Sequence, residues 1–420
     1  MLAQVHGCTD PGNHVKENQD TFLAISYKTH TALAVFDGHG KTHGKLAAET
    51  AKTFFEQKLQ QDRTYDDLIE DGENTMRCLF DDCHAAIGQV CTITIHLRSP
   101  HVKALRAYYE RQRLQVVERE GGYLIVKQGM LQKSLLVQGG TTASIVVILN
   151  GGATMLCANV GDSSALLCVP SPFDASWSSL QASNVLHLLR RPDAPPVALP
   201  AELPESSHVL QLSGDHSPEC MTEFERTAMA RSVPTKNGAI PELLFVYDGL
   251  VESSNQRVSV RDKHAALEKT PVYTHRSGKL VKVGEGCYFK NVRQEWASLC
   301  CTPSRAKFHE SLAFTRSLGD YYIHSYGLTH EPDVIQVDVK QLMAQEGWNQ
   351  VIVVVGSDGV WDAWEYAQFS SVLWKAMDDH KGVLKQVADD VMRQNKAVSA
   401  QVFGTAVDNM TLVVCSLTVA

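Results

Sequence analysis

The chain has 420 residues, 44% of them hydrophobic and 20% charged, an ordinary balance for a folded protein that excludes a disordered or fibrous class. A formal net charge of -8 argues against a generally nucleic-acid-binding surface and suits a cation site. The eleven cysteines are odd in number and follow no signal peptide, so they read as free thiols in a reducing compartment.

The vicinal pair Cys300-Cys301, and equally Cys78, Cys83 and His84, read as ordinary side chains, because no second pair stands at zinc-finger spacing. The first ten residues lack an apolar core for a leader, and Leu2 follows Met1, which removes myristoylation. The longest apolar runs, such as 351–355, are strand-sized, so the expectation is a protein with no membrane partner and a cytoplasmic or nuclear location.

In chain order, residues 31–36 (TALAVF) predict a short strand ended by the turn tetrad Asp37-Gly38-His39-Gly40. Residues 45–59 and 66–90 carry apolar side chains at helical spacing and predict two amphipathic helices over the strand layer. Ser99-Pro100 and Gly121-Gly122 bracket a further predicted helix over 100–120. Residues 140–169 hold three apolar strands, parted by Asn150-Gly151-Gly152 and Gly161-Asp162-Ser163-Ser164, and predict an antiparallel meander.

Prolines and serines over 170–204 predict a surface excursion inside one domain, and periodicity is poor over 215–310. Basic residues outnumber acidic ones over 257–307, which suits either phosphorylated ligands or a solvated loop. Residues 351–355 predict a buried strand ending in Gly356-Ser357-Asp358-Gly359, residues 364–392 a helical region, and residues 411–417 a last strand. Strands at both ends with helices between them predict a layered α+β domain.

Asp37, Asp162, Asp358 and Asp408 each stand just beyond or between apolar strands. One Asp-Gly after a strand is usually a turn. Several carboxylates at neighbouring strand ends repel one another unless cations neutralise them. Oxygen-only ligands select Mg²⁺ or Mn²⁺, and two such ions about 3.5–4 Å apart activate water against a phosphoester. Residues 243–247 with Asp248-Gly249 copy the pattern at Asp358 but lack its trailing Trp361-Asp362, and read as a hairpin turn.

The segments Asn18-Gln19-Asp20, Phe36-Asp37-Gly38-His39-Gly40, Gly140-Thr141-Thr142-Ala143 and Ala158-Asn159-Val160-Gly161-Asp162-Ser163 resemble, in order, motifs of the PPM, or type-2C, protein phosphatases. So do Leu312-Ala313-Phe314-Thr315-Arg316-Ser317-Leu318-Gly319-Asp320, Ser357-Asp358-Gly359-Val360-Trp361-Asp362 and Asp408-Asn409-Met410-Thr411, which carry the resemblance from about residue 18 to the C-terminus. It implies a four-layer α/β/β/α sandwich with two central antiparallel β-sheets flanked by helices. This would be one domain over residues 1–420, with insertions near 92–138 and 170–204 and an enlarged flap near 215–310.

The resemblance further implies that Asp37 bridges two metals, that the Gly38 carbonyl, Asp358 and Asp408 complete the direct ligands, and that Asp20 acts through water. Asp162 would join Asp358 at a weaker third-metal position. His39 would be the general acid, a role an imidazolium can fill near neutral pH; the plainer alternative is a hydrogen bond within its turn. Three residues depart from the family pattern. Gln19 stands where many members are acidic, and Ser164 replaces a common arginine. Val15 stands where many members place a phosphate-gripping arginine, leaving Lys16, with His14 nearby, as the candidate phosphate contact.

The expected function is therefore a protein serine/threonine phosphatase acting on phosphoserine and phosphothreonine. It would work by direct attack of a hydroxide bridging two Mg²⁺ or Mn²⁺ ions. Its partners would be phosphorylated proteins and not nucleic acid, and it would be a monomer. Two other readings stand beside it: a pseudophosphatase, suggested by Val15 and Gln19, and a phosphodiesterase or nuclease using the same ions. The second lacks a basic stripe interleaved with aromatics.

Overall fold

Strands buried on both faces build the centre of the molecule. In the strand Thr31–Phe36, Ala32, Ala34 and Phe36 join one apolar cluster while Leu33 and Val35 join another, so both faces are covered. The strand Gln350–Gly356 does the same with Val351, Val353 and Val355 on one side and Ile352 and Val354 on the other. The computed structural model describes residues 1–12, 17–40, 43–88, 104–119, 122–128, 133–173, 177–189, 207–218, 220–230, 243–247, 270–276, 279–286, 290–293, 295, 298–303 and 306–419.

Two antiparallel sheets carry the fold. One orders its strands Leu2–Asp10, Met410–Thr418, Gln350–Gly356, Ser164–Phe173 and Ser207–Gln211. The other orders Leu186–Leu189, Asp333–Asp338, Thr154–Val160, Ala143–Leu149, Thr31–Phe36 and Thr21–Ser26.

Between the sheets lie Leu33, Val35, Val146 and Met155 against Val353, Val355, Val413 and Cys415. On the outer face of the six-stranded sheet, Ala34, Phe36, Ile145 and Val147 meet the helices Gly44–Leu59 and Gly72–Gly88 through Ala47, Ala51, Phe55 and Phe80. On the far side of the five-stranded sheet, Ile352, Val354 and Val414 meet the helices Tyr366–Asp379 and Leu384–Phe403 through Phe369, Leu373, Val387 and Val391. This is the mixed α+β class expected from the pattern of elements.

Several expectations need correction. The predicted helix over 66–90 is two helices, Asp62–Glu70 and Gly72–Gly88, because Asp71 leaves helical geometry (φ -147, ψ 80) and Gly72 packs where a Cβ would stand 2.7 Å from Leu156 Cδ1. Of the helix expected over 100–120, the described residues form Ala104–Arg111 and leave helix after it. Arg113 adopts a positive φ of 58, and Gln115–Glu118, with its β-branched Val116-Val117, instead pairs as a strand with Leu124–Gln128.

The meander over 140–169 is split. Ala143–Leu149 and Thr154–Val160 pair with each other, but Ser164–Phe173 belongs to the other sheet. The change of sheet falls at Gly161, whose φ of +94 suits glycine, and places Asp162 at the corner. The helical region over 364–392 breaks between Asp379 and Leu384 at Lys381 and Gly382, both at positive φ. The strand Leu244–Tyr247 pairs with the distant Ser298–Cys301; the hairpin turn expected at Asp248-Gly249 lies outside the described residues. Among the described cysteines all are free, and Cys300 is buried with its thiol donating to Phe314 O (2.8 Å).

Candidate metal centre

The centre is assembled from strand ends that hydrogen bonds lock together. Asp37 follows the strand Thr31–Phe36. Its N–H donates to Thr142 Oγ1 (3.2 Å), while its carbonyl accepts from Thr142 N (2.9 Å) and Thr141 Oγ1 (3.0 Å). Gly38 is pressed against backbone on two sides: a Cβ there would stand 2.5 Å from Gly44 O and 2.6 Å from Gln19 O. Ser357 Oγ donates to Asp20 Oδ2 (2.8 Å) and accepts from Thr411 N (3.0 Å), and Asn409 Oδ1 accepts from Gln19 N (2.9 Å). Three segments far apart in sequence thus meet, each delivering an aspartate: Asp20, Asp358 and Asp408.

Electrostatics records their convergence. Burial pushes the Asp37 carboxyl well above the usual carboxylate range, and Asp20, Asp358, Asp162 and Asp408 add to the push. Burial does the same to Asp358, helped by Asp162, Asp362 and Asp408, and lifts Asp20 to about 6. Asp20 Oδ1 is buried without a hydrogen-bond partner. No three of these carboxylates close into a tight cage. Among the described residues, the trio whose ligand atoms all lie within 4.8 Å of one another is His84, His324 and His330. Mg²⁺ keeps several waters and takes one or two carboxylates, so an all-oxygen set at this looser spacing, with one carboxylate oxygen unsatisfied, fits hydrated hard ions.

Two groups absent from the expectations stand in the centre. Asp362, four residues after Asp358, has its carboxyl raised by burial to about 6 and accepts from Asn291 Nδ2 (3.1 Å). Lys290 Nζ lies 3.6 Å from Asp162 Oδ2 and 3.8 Å from Glu295 Oε2. Burial opposes its charge, but Asp162, Asp362, Glu295 and Asp358 together hold the ammonium above the usual lysine range. Arg293 bonds Glu295 Oε1 (2.9 Å), donates to Trp361 O and Trp364 O, and covers the Tyr366 ring at 4.7 Å. A cavity of about 150 Å³ lies between these side chains and Asp215. This part of the basic stretch is thus ion-paired, not solvated. The spacing of Asp358 and Asp362 was a readable signal for the latter; nothing local marks Lys290.

His39 Nε2 lies 2.6 Å from Asp320 Oδ2, to which Ser317 Oγ also donates (2.6 Å). The pairing of Gly38–His39 and Leu318–Gly319 with Gly140–Thr141 brings the two together. Burial works against a charged His39, yet Asp320 outweighs it and raises the imidazole above its usual range. Behind them, buried Arg316 bridges Glu223 (2.5 Å) and Asp333 (2.9 Å), and Asp333 also meets His216 Nε2 (3.1 Å). His216 Nδ1 in turn accepts from Gly161 N (3.1 Å), fixing the corner that carries Asp162. Of the sequence candidates, Lys16 and His14, with Val15, lie outside the described residues.

Residues 297–401 match the family model described as protein phosphatase 2C. The serine-threonine phosphatase 2C from Toxoplasma gondii is similar at 14% identity, over 98% of this chain and 94% of that one, with a TM-score of 0.50. The Mycobacterium tuberculosis serine/threonine phosphatase PstP/Ppp is similar at 13% identity, over 100% of both chains, with a TM-score of 0.45. No curated protein matches the sequence. The likeness to the Toxoplasma structure is one of fold, and over residues 297–401 the chain is similar to the protein phosphatase 2C family.

Proposed function

We propose that the chain is a metal-dependent serine/threonine phosphatase acting on phosphorylated proteins. The observation that carries this reading is the gathering of Asp20, Asp37, Asp162, Asp358 and Asp408, four of which each raise the carboxyl of the fifth, Asp37. Asp37, the Gly38 carbonyl, Asp358 and Asp408 would hold two Mg²⁺ or Mn²⁺ ions, with Asp20 acting through water and Asp162 and Asp358 at a weaker third position. Such ions supply an activated water and neutralise phosphate oxygens.

The chain's own residues do the rest. His39, whose imidazole Asp320 raises above its usual range, would protonate the leaving seryl or threonyl oxygen. Ser357 and Thr411 keep Asp20 aimed inward. The test is phosphate release from a phosphothreonine peptide: Mn²⁺-dependent, abolished by chelation, and lost in Asp358→Asn. Equal rates with and without metal contradict it.

A second reading, a fold kept for binding without turnover, draws on Lys290, a cation already 3.6 Å from Asp162. Absence of phosphate release from every phosphopeptide at saturating Mn²⁺, with the metal bound, would favour it.

A further inference from the structure

Three imidazoles from distant stretches of the chain meet beside the His39–Asp320 pair. His84 lies in the last turns of Gly72–Gly88, His324 ends the short helix Tyr321–His324, and His330 follows it. The rings of His84 and His330 stack with centroids 3.9 Å apart, His84 and His324 lie at 4.6 Å, and His324 and His330 at 5.7 Å. One ligand nitrogen from each lies within 4.8 Å of the other two.

The hydrogen bonds around the trio set its tautomers. His324 Nε2 faces Ser317 O (3.1 Å) and His330 Nε2 faces Asp81 Oδ1 (3.0 Å). Both partners accept, so each Nε2 carries a proton, and in the neutral ring Nδ1 keeps the lone pair. His330 Nδ1 is buried without a hydrogen-bond partner. Gly319 N donates to His84 Nδ1 (3.2 Å), which is therefore also a lone-pair nitrogen and exchanges that bond on ligating an ion. Burial and the neighbouring imidazoles push His84 well below its usual range and His324 down to about 3, so these rings are neutral, the form that binds metals. The Asp81–His330 pair supplies the carboxylate that commonly orients a metal-bound imidazole. The His330 side chain is 30% exposed.

We propose that His84, His324 and His330 form a second metal site, selective for a borderline ion such as Zn²⁺ and separate from the carboxylate centre. Three imidazoles prefer Zn²⁺ to Mg²⁺ or Mn²⁺, which seek oxygen, and leave a fourth position for water. The site is tied to the acid of the reaction: His324 bonds the carbonyl of Ser317, whose hydroxyl bonds Asp320.

The test titrates Zn²⁺ into the full chain held at saturating Mg²⁺, in competition with a chromophoric chelator, with Co²⁺ as a spectroscopic probe. One Zn²⁺ equivalent is expected, together with a tetrahedral Co²⁺ spectrum. Asp81→Asn weakens Zn²⁺ binding by about 10-fold, and His330→Ala weakens it more and removes the Co²⁺ spectrum. Both substitutions fall at partly exposed positions, and unchanged metal-free melting midpoints verify folding. Zn²⁺ affinity that is equal in the parent and both folded variants, or no Zn²⁺ bound beyond what Mg²⁺ displaces, overturns the proposal.

Discussion

Lys290 places its ammonium 3.6 Å from the carboxylate of Asp162, so a loop cation is built into a cavity that Asp162, Asp215, Asp358 and Asp362 also line. Lys290→Ala therefore leaves Asp162, Asp358 and Asp362 facing one another without it. The metal-free protein should lose about 1–3 kcal/mol, between the exposed and fully buried limits for a broken ion pair. The stabilisation gained on adding Mg²⁺ should grow correspondingly. Chemical denaturation with EDTA and with Mg²⁺ measures both; identical curves for parent and variant contradict the assignment.

The raised carboxyls fix the sign of a pH effect. Asp20 and Asp362, lifted to about 6 by burial, retain protons in the folded chain that the unfolded chain has already released. Their contribution to metal-free stability therefore falls as pH rises from about 4 through about 6. Mg²⁺, which favours the ionised forms, should remove that loss. The difference between Mg²⁺ and EDTA melting midpoints is predicted to widen across this window; a constant difference argues against carboxylates as the ligands.

Asp320 raises the His39 imidazole above its usual range, so its removal should act through the acid. His39→Ala is expected to lower kcat by roughly 10²–10⁴-fold. Asp320→Asn lets the imidazole lose its proton sooner, so the alkaline limb of the kcat profile moves to lower pH. An unmoved limb with reduced kcat would assign Asp320 a purely structural part.

Arg316 is buried between Glu223 and Asp333, and the carboxylates lose their partner if it is truncated. Arg316→Met should cost about 3–5 kcal/mol in urea denaturation. Gly38→Ala should be worse tolerated than its size suggests, since both obstructing atoms are backbone carbonyl oxygens that cannot swing aside. The variant is expected to fold poorly or to lose Mn²⁺ binding, and normal yield with normal binding would contradict the packing.

What the sequence made legible follows physical range. Asp37 and Asp358 could be read because each ends an apolar strand run, and the unbroken apolar character of 32–36 and 351–355 reports burial on both faces. The membership of Ser164–Phe173 in the other sheet was not readable, because a strand's pattern states which faces are buried and not which partner supplies the hydrogen bonds. Lys290 against Asp162, and His84 against His324 and His330, are pairings set by tertiary packing alone; no local spacing links the residues. Asp320 was visible inside its motif, but its bond to His39 needed the small sheet through Gly140–Thr141.

The most direct measurement is a crystal structure of the chain grown with Mn²⁺, read by anomalous scattering. The account predicts two ions about 3.5–4 Å apart, both touching Asp37, with Asp358 and Asp408 among their ligands. Mn²⁺ bound only away from Asp37, or none bound at saturating concentration, would contradict it.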